Sequence, residues 1–233
     1  MKKALLLILV VSLLFSCTSF IYYPNGANAP LLEKKNDLQL GLGIKGASGY
    51  ARSAYAITDH LGVQFNINYL NVNDPDAGTD RRNSNYYAEA AVGYLKPLQK
   101  NFILEGYVGY GHGGCSSIDL AEVASDIISS NHYKIYVQVD TGFKWKYFNF
   151  GLALREAYVN VYQTRINSTI SNIPQMDFFF EPIFFMGLGF KKFKLNAQVG
   201  FSDSQFNAII NYAPFVVSLG IEARFSLAKP TAK

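Results

Sequence analysis

The sequence predicts an all-β chain, a single antiparallel up-and-down transmembrane β-barrel of about ten strands. Three observations predict it. In the stretch 133–147, Tyr133, Ile135, Val137, Val139, Phe143, Trp145 and Tyr147 alternate with Lys134, Tyr136, Gln138, Asp140, Gly142, Lys144 and Lys146. That period of two belongs to a strand with one apolar and one polar face. The chain carries 16 Tyr and 18 Phe against a single Trp, a load that suits strands and, for Tyr, boundaries where one end of the ring is wet. Beyond residue 17 no segment approaches the roughly 18 consecutive apolar residues of a membrane helix. A membrane-embedded mature chain must then be a closed barrel.

In chain order, Lys2 and Lys3 precede the apolar run 4–14, and Leu14-Phe15-Ser16 leads into Cys17. A run this short is a signal peptide, because a membrane span takes about 20 residues. Leu14-Phe15-Ser16-Cys17 resembles the bacterial lipoprotein lipobox. The resemblance implies that segment 1–16 is removed and that Cys17 is acylated as the first mature residue. Residues 17–37 are expected to form a lipidated tether. Pro24, Asn25, Gly26, Asn28 and Pro30 break any regular element there, and Glu33-Lys34-Lys35-Asn36-Asp37 is a solvated charge run.

The barrel is expected over 38–226, with a tail at 227–233. Leu38, Leu40, Leu42 and Ile44 alternate with polar or small residues in the first strand. A weaker second strand covers about 50–57. In the third, Val63, Phe65, Ile67 and Tyr69 oppose Gln64, Asn66 and Asn68. The fourth, 86–95, sets Ala88, Ala90, Val92 and Tyr94 against Glu89, Ala91 and Gly93. The fifth, 102–112, sets Leu104, Val108 and Tyr110 against Glu105, Tyr107, Gly109 and Gly111. Residues 113–131 read as the longest connection, with room for one or two helical turns in 118–128. The sixth strand is the stretch 133–147. In the seventh, 150–163, Phe150, Leu152 and Leu154 oppose Gly151, Ala153 and Arg155, and the pattern blurs near Glu156. The eighth, 177–190, is apolar on both faces apart from Glu181 and is interrupted by Pro182. The ninth, 193–201, and the tenth, 213–225, alternate cleanly again.

Connections after strands two, four, six and eight are short, whereas those after three, five, seven and nine are long. Outer-membrane barrels have short periplasmic turns and longer outer loops. Only the first connection, 46–49, is short on the long side. An even count returns both ends of the barrel to the periplasmic side. The sequence therefore predicts a bacterial outer-membrane location, with the N-terminus anchored by lipid on the periplasmic side.

The lipobox, the spacer from Tyr22-Tyr23-Pro24-Asn25 to Pro30, the strand-turn-strand from Ala54 to Val63 and Phe180-Glu181-Pro182 resemble the small outer-membrane β-barrel lipoproteins of Bacteroidota-type bacteria. The likeness covers essentially the whole mature chain. It implies location and fold and carries over no catalytic residue. One departure stands out: outer-membrane barrels of this kind often end on an aromatic, whereas Phe225 is followed by residues 226–233. The alternative fold is a lipid-tethered soluble β-sandwich or a lipocalin-like binding module with its apolar face turned inward. Only 16% of the chain is charged, against about 25% for an ordinary soluble domain, which favours the membrane reading.

The formal charge of +4 includes Lys2 and Lys3, which leaves +2 on the expected mature chain, a mild balance that argues against a nucleic-acid partner, which demands a basic patch or stripe. Outer-membrane lipids are the expected partner. Cys115 has no other cysteine once Cys17 is acylated, so no disulfide framework is expected. No Gly-rich phosphate loop, HExxH or GxSxG occurs, and His60, His112 and His132 lack metal-ligand spacing. No metal, cofactor or catalytic residue is expected. Polar-face alternation assigns Lys45, Glu89, Glu105, Lys134, Asp140, Lys144, Arg155, Glu222 and Arg224 to the lumen as mutually paired charges. Large side chains such as Tyr107 and Tyr136 are expected to fill it. The functional expectation is a structural or binding role. The alternatives are a narrow pore for small solutes, or a lipid-modifying enzyme assembled from His112, His132, Ser116, Asp119 and Asp126.

Overall fold

Side-chain alternation decides the architecture, because each strand must send one face to a shared interior and the other outward. The computed structural model describes residues 21–74, 81–119, 127–206 and 210–227. Its strands are β1 (Asp37–Lys45), β2 (Ser48–Ala56), β3 (Leu61–Asp74), β4 (Arg81–Gln99), β5 (Phe102–Asp119) and β6 (Ile127–Lys144). They continue with β7 (Phe148–Ile166), β8 (Thr169–Ser171), β9 (Gln175–Gly189), β10 (Phe193–Phe201), β11 (Asp203–Ser204) and β12 (Phe215–Ser226). Ten of these form an antiparallel meander. The short β8 pairs antiparallel with the end of β7, and β11 pairs antiparallel with β9. β1 pairs with β12 from Asp37↔Ser226 to Lys45↔Ser218, which closes the barrel.

The apolar face points outward. On β6, Val137 is 54% exposed while the next residue, Gln138, is wholly buried. Leu195 and Asn196 repeat that contrast on β10, and Leu219 and Ser218 on β12. The outward apolar band is edged by rings at both ends. At the turn end Phe143, Trp145, Phe148 and Phe150 stack on one another at 5.5–6.1 Å. At the loop end Tyr110, Tyr133, Tyr158 and Tyr162 do so at 6.2–6.4 Å. The stretch of β6 between Tyr133 and Phe143 matches the roughly 9–11 residues of a tilted membrane strand.

Strands β3 to β7 run further toward the loop end than the sequence predicts. The expected connection 113–131 is largely strand: Asn85 pairs with Cys115, and Cys115 with Ser130. Ile118 and Ile127 are a strand pair rather than part of a helical turn, and residues 120–126 lie outside the described residues. These hairpin tips are polar, so they carry no apolar alternation to read, yet ladder hydrogen bonding continues through them. Pro182, which interrupts the sequence pattern, sits where β9 is bonded on one side only. β10 covers Ile183–Gly189 and β11 covers Phe179–Phe180, so no ladder bond is lost to its missing N–H.

The largest difference from expectation concerns residues 21–32. They do not form a tether leading up to the barrel but run through its interior. Tyr22, Ala27, Asn28 and Leu31 are fully buried. This strap starts beside the loops, where Tyr22 bridges to Tyr212 in parallel. It ends at the turns, where Lys35 N–H donates to Asp59 Oδ1.

Substituting Arg for the outward Val137 is expected to cost about 2–4 kcal/mol in a bilayer, read by denaturant unfolding in liposomes. The inward-core alternative predicts instead that the Val137→Arg chain fails to fold in detergent as well as in lipid.

Candidate functional site

The polar lumen and the strap inside it form one site. All nine sequence-assigned charges lie on inward positions: Lys45 on β1, Glu89 on β4, Glu105 on β5, Lys134, Asp140 and Lys144 on β6, Arg155 on β7, and Glu222 and Arg224 on β12. Lys45, Lys144 and Arg224 are half-buried at the ends, and the other six are buried.

Toward the loop end, Lys134 Nζ lies 3.2 Å from Glu89. Arg155 reaches Glu89 at 3.6 Å and Glu181 at 3.5 Å. Tyr22 of the strap donates its hydroxyl to Glu181 at 2.6 Å. Asn66 donates to Glu89 at 2.6 Å. The Lys134 ammonium also sits over Tyr87, Tyr136 and Tyr22, with ring centroids at 5.0, 5.2 and 5.8 Å. Charged groups removed from water stay tolerable only when paired in this way.

In the middle of the barrel the wall binds the strap's bare backbone. Gln138 donates to Asn28 O at 3.0 Å and to Asp140, while its own oxygen accepts from Arg155. Gln198 and Arg52 both donate to Ala27 O, at 2.7 and 3.1 Å. Arg52 also pairs with Glu222, which is shared with Arg224. The breaker composition of 24–30 suits this role. A chain without helix or strand partners leaves its carbonyls free for side chains. At Gly26 a Cβ would collide with the Gln198 side chain.

At the turn end, Glu105 accepts from Leu31 N–H at 3.1 Å and from Leu32 N–H at 2.6 Å. Leu31 takes φ of 50°, a left-handed conformation uncommon outside glycine, and there both N–H groups meet one carboxylate. Lys144 donates to Leu31 O at 2.8 Å and pairs with Glu33 at 3.2 Å. At the other end Lys45 donates to Pro24 O at 2.7 Å.

A cavity of about 20 Å³ lies among Asn25, Lys45, Tyr50, Arg52 and Gln198. Another of about 30 Å³ lies at the loop mouth among Ile21, Tyr23, Leu70 and Cys115. Each has room for only a water or two.

Polar-face alternation put Gln138 in the lumen, but sequence reasoning missed Arg52, Gln198 and Glu181 as members of the network, and the strap itself. The expected charge pairing holds for Glu89, Lys134, Lys144, Arg155, Glu222 and Arg224, whereas Lys45, Glu105 and Asp140 meet Pro24 O, the Leu31 and Leu32 N–H groups and the Gln138 amide. The histidines do not assemble into a site. His112 faces outward and meets Tyr162 OH at 2.9 Å. His132, one strand away, is buried inside and stacks on Tyr87. The barrel wall separates them. Among the described residues no cluster of three or more His, Cys, Asp or Glu could hold a metal ion.

No protein-family model and no curated protein matches the sequence. Solved structures match by fold. The translocator domain of the autotransporter NalP from Neisseria meningitidis has a TM-score of 0.51 at 10% identity, over 96% of this chain and 95% of that one. A major outer membrane protein from Thermus thermophilus has a TM-score of 0.43 at 16% identity, over 81% and 98%. The N-terminal β-barrel domain of Pseudomonas aeruginosa OprF has a TM-score of 0.36 at 10% identity, over 82% and 99%. At such identity the NalP likeness bears on the fold alone, a closed antiparallel barrel.

Two substitutions test the lumen network. Arg155→Met leaves Glu89 and Glu181 short of a buried partner and is expected to cost about 3–5 kcal/mol, read by unfolding in detergent. Glu105→Ala orphans two buried N–H groups at about 1–3 kcal/mol each. It is expected to loosen the strap, seen as new proteolytic cleavage between residues 21 and 32 while the barrel stays resistant.

Proposed function

We propose that this chain is a bacterial outer-membrane β-barrel lipoprotein whose lumen is sealed by its own N-terminal strap. Its task is structural, or lies in binding at the long loops, and not in solute passage or catalysis. Removal of residues 1–16 and acylation at Cys17 belong to the same proposal and rest on the lipobox resemblance. The observation that carries the reading is the inversion of polarity: an outward apolar band with aromatic edges around a buried, charge-paired interior. A soluble barrel has the opposite arrangement. The strap supports the sealed state over a pore, since it runs buried from mouth to mouth and is bonded to the wall near both ends and in the middle.

Planar-bilayer recording of the purified protein is the test. The intact chain is expected to give no steady channel. Deletion of residues 21–32 is expected to open one, in a protein that still migrates as a folded barrel before heating. Steady single-channel conductance from the intact chain would overturn the sealed lumen in favour of a pore. Fatty-acid labelling checks the anchor: label is expected in the natural chain and lost in Cys17→Ser.

A further inference from the structure

We infer that the strap carries the mature N-terminus through the barrel to the long-loop mouth, so that the acyl anchor sits in the outer leaflet and not on the periplasmic side. The inference rests on the outer-membrane reading above, in which the long loops face outward.

The polarity of the strap is marked by contacts at both ends. At the turn end, Leu32 packs in one cluster with Leu95, Glu33 pairs with Lys144, and Lys35 N–H donates to Asp59 in the β2–β3 turn. At the loop end, Ile21 N–H donates to Asn211 O at 2.8 Å and Ala213 N–H donates to Tyr22 O at 3.0 Å. Ile21 and Tyr23 also line a cavity with Ser84, Ser117 and Ile128, near the β4, β5 and β6 tips. Residues 32 to 22 therefore run backward past the whole wall from one mouth to the other.

Chain length then settles which leaflet an anchor at Cys17 can enter. Cys17 lies four residue steps before Ile21, and an extended chain gains at most about 3.6 Å per step. Their reach is about 14 Å, whereas the hydrocarbon core is about 30 Å thick. The periplasmic leaflet is out of range while the strap stays in place. The near leaflet is accessible over a low part of the rim. Pro24 O is already level with Lys45 Nζ, at the end of β1, and the β1–β2 hairpin turns at 46–47, well short of the loop-end extensions of β3, β4, β5 and β6. The partner is thus the outer face of the membrane, met by a lipid carried on the end of the chain's own plug.

The test uses the full chain in a Gram-negative host, with Cys115→Ser removing the second thiol and Ser19→Cys supplying a reporter. A membrane-impermeant maleimide is expected to label intact cells as fully as permeabilised ones. An epitope inserted in the 75–80 connection reports orientation independently, and is expected to bind antibody on intact cells. If the epitope is bound on intact cells while residue 19 labels only after permeabilisation, the outer-leaflet anchor is overturned and the outer-membrane reading survives. If neither is reached until permeabilisation, the orientation itself fails and the inference with it. Adding Cys17→Ser should abolish fatty-acid label while residue 19 stays reachable, which separates threading from acylation.

Discussion

The interior of this barrel depends on reciprocal satisfaction between two incomplete partners. The strap is a bare backbone with unpaired N–H and C=O groups, which would be costly to bury alone. The wall holds Arg52, Glu105, Gln138, Lys144 and Gln198, which would be equally costly without partners. Each supplies what the other lacks: Ala27 O to Arg52 and Gln198, Asn28 O to Gln138, and the Leu31 and Leu32 N–H groups to Glu105. About eight strands leave an interior that side chains just fill. At ten strands, an extra chain segment completes the filling that Tyr107, Tyr136 and Lys134 begin.

The same partnership explains why β9 looked anomalous. Its sequence is apolar on both faces, which contradicts a polar lumen. Inside, Ile183 and Phe185 pack with Ala27, Ala29 and Leu31 of the strap, and Phe179 lies 4.9 Å from the Tyr22 ring. The inner face of β9 is apolar because it meets the apolar side chains of the strap and not solvent. Glu181 interrupts that face where the Tyr22 hydroxyl and Arg155 require a carboxylate.

Period-two alternation made the barrel legible, because membrane and lumen demand opposite side chains at successive positions. It also placed Lys134 and Asp140 inward while their neighbours Ile135 and Val139 face outward. Where neither environment acts, as in the polar tips around Ser116 and Ser129, the signal vanished although the ladder did not. The strap was illegible for another reason. Pro24-Asn25-Gly26-Ala27-Asn28-Ala29-Pro30 breaks regular structure whether water or a protein wall receives its backbone. The local hint was its small side chains, which permit close approach, together with a charge run that begins only at Glu33 and ends the buried stretch.

The strap also ties together strands that are distant in the sequence. It is bonded by Lys45 and Arg52 from the first hairpin, by Glu105 and Gln138 from the centre, and by Gln198 near the end. Arg155 joins these bonds into one set, since it contacts Glu89, Glu181 and Gln138, and Gln138 in turn holds Asn28. Groups that share partners in a low-dielectric interior do not contribute additively. Loss of one bond is therefore felt along the strap and around the wall. The bonds that hold the strap are thus continuous with the ion pairs of the wall, in which Arg52, Lys134 and Arg155 meet Glu222, Glu89 and Glu181.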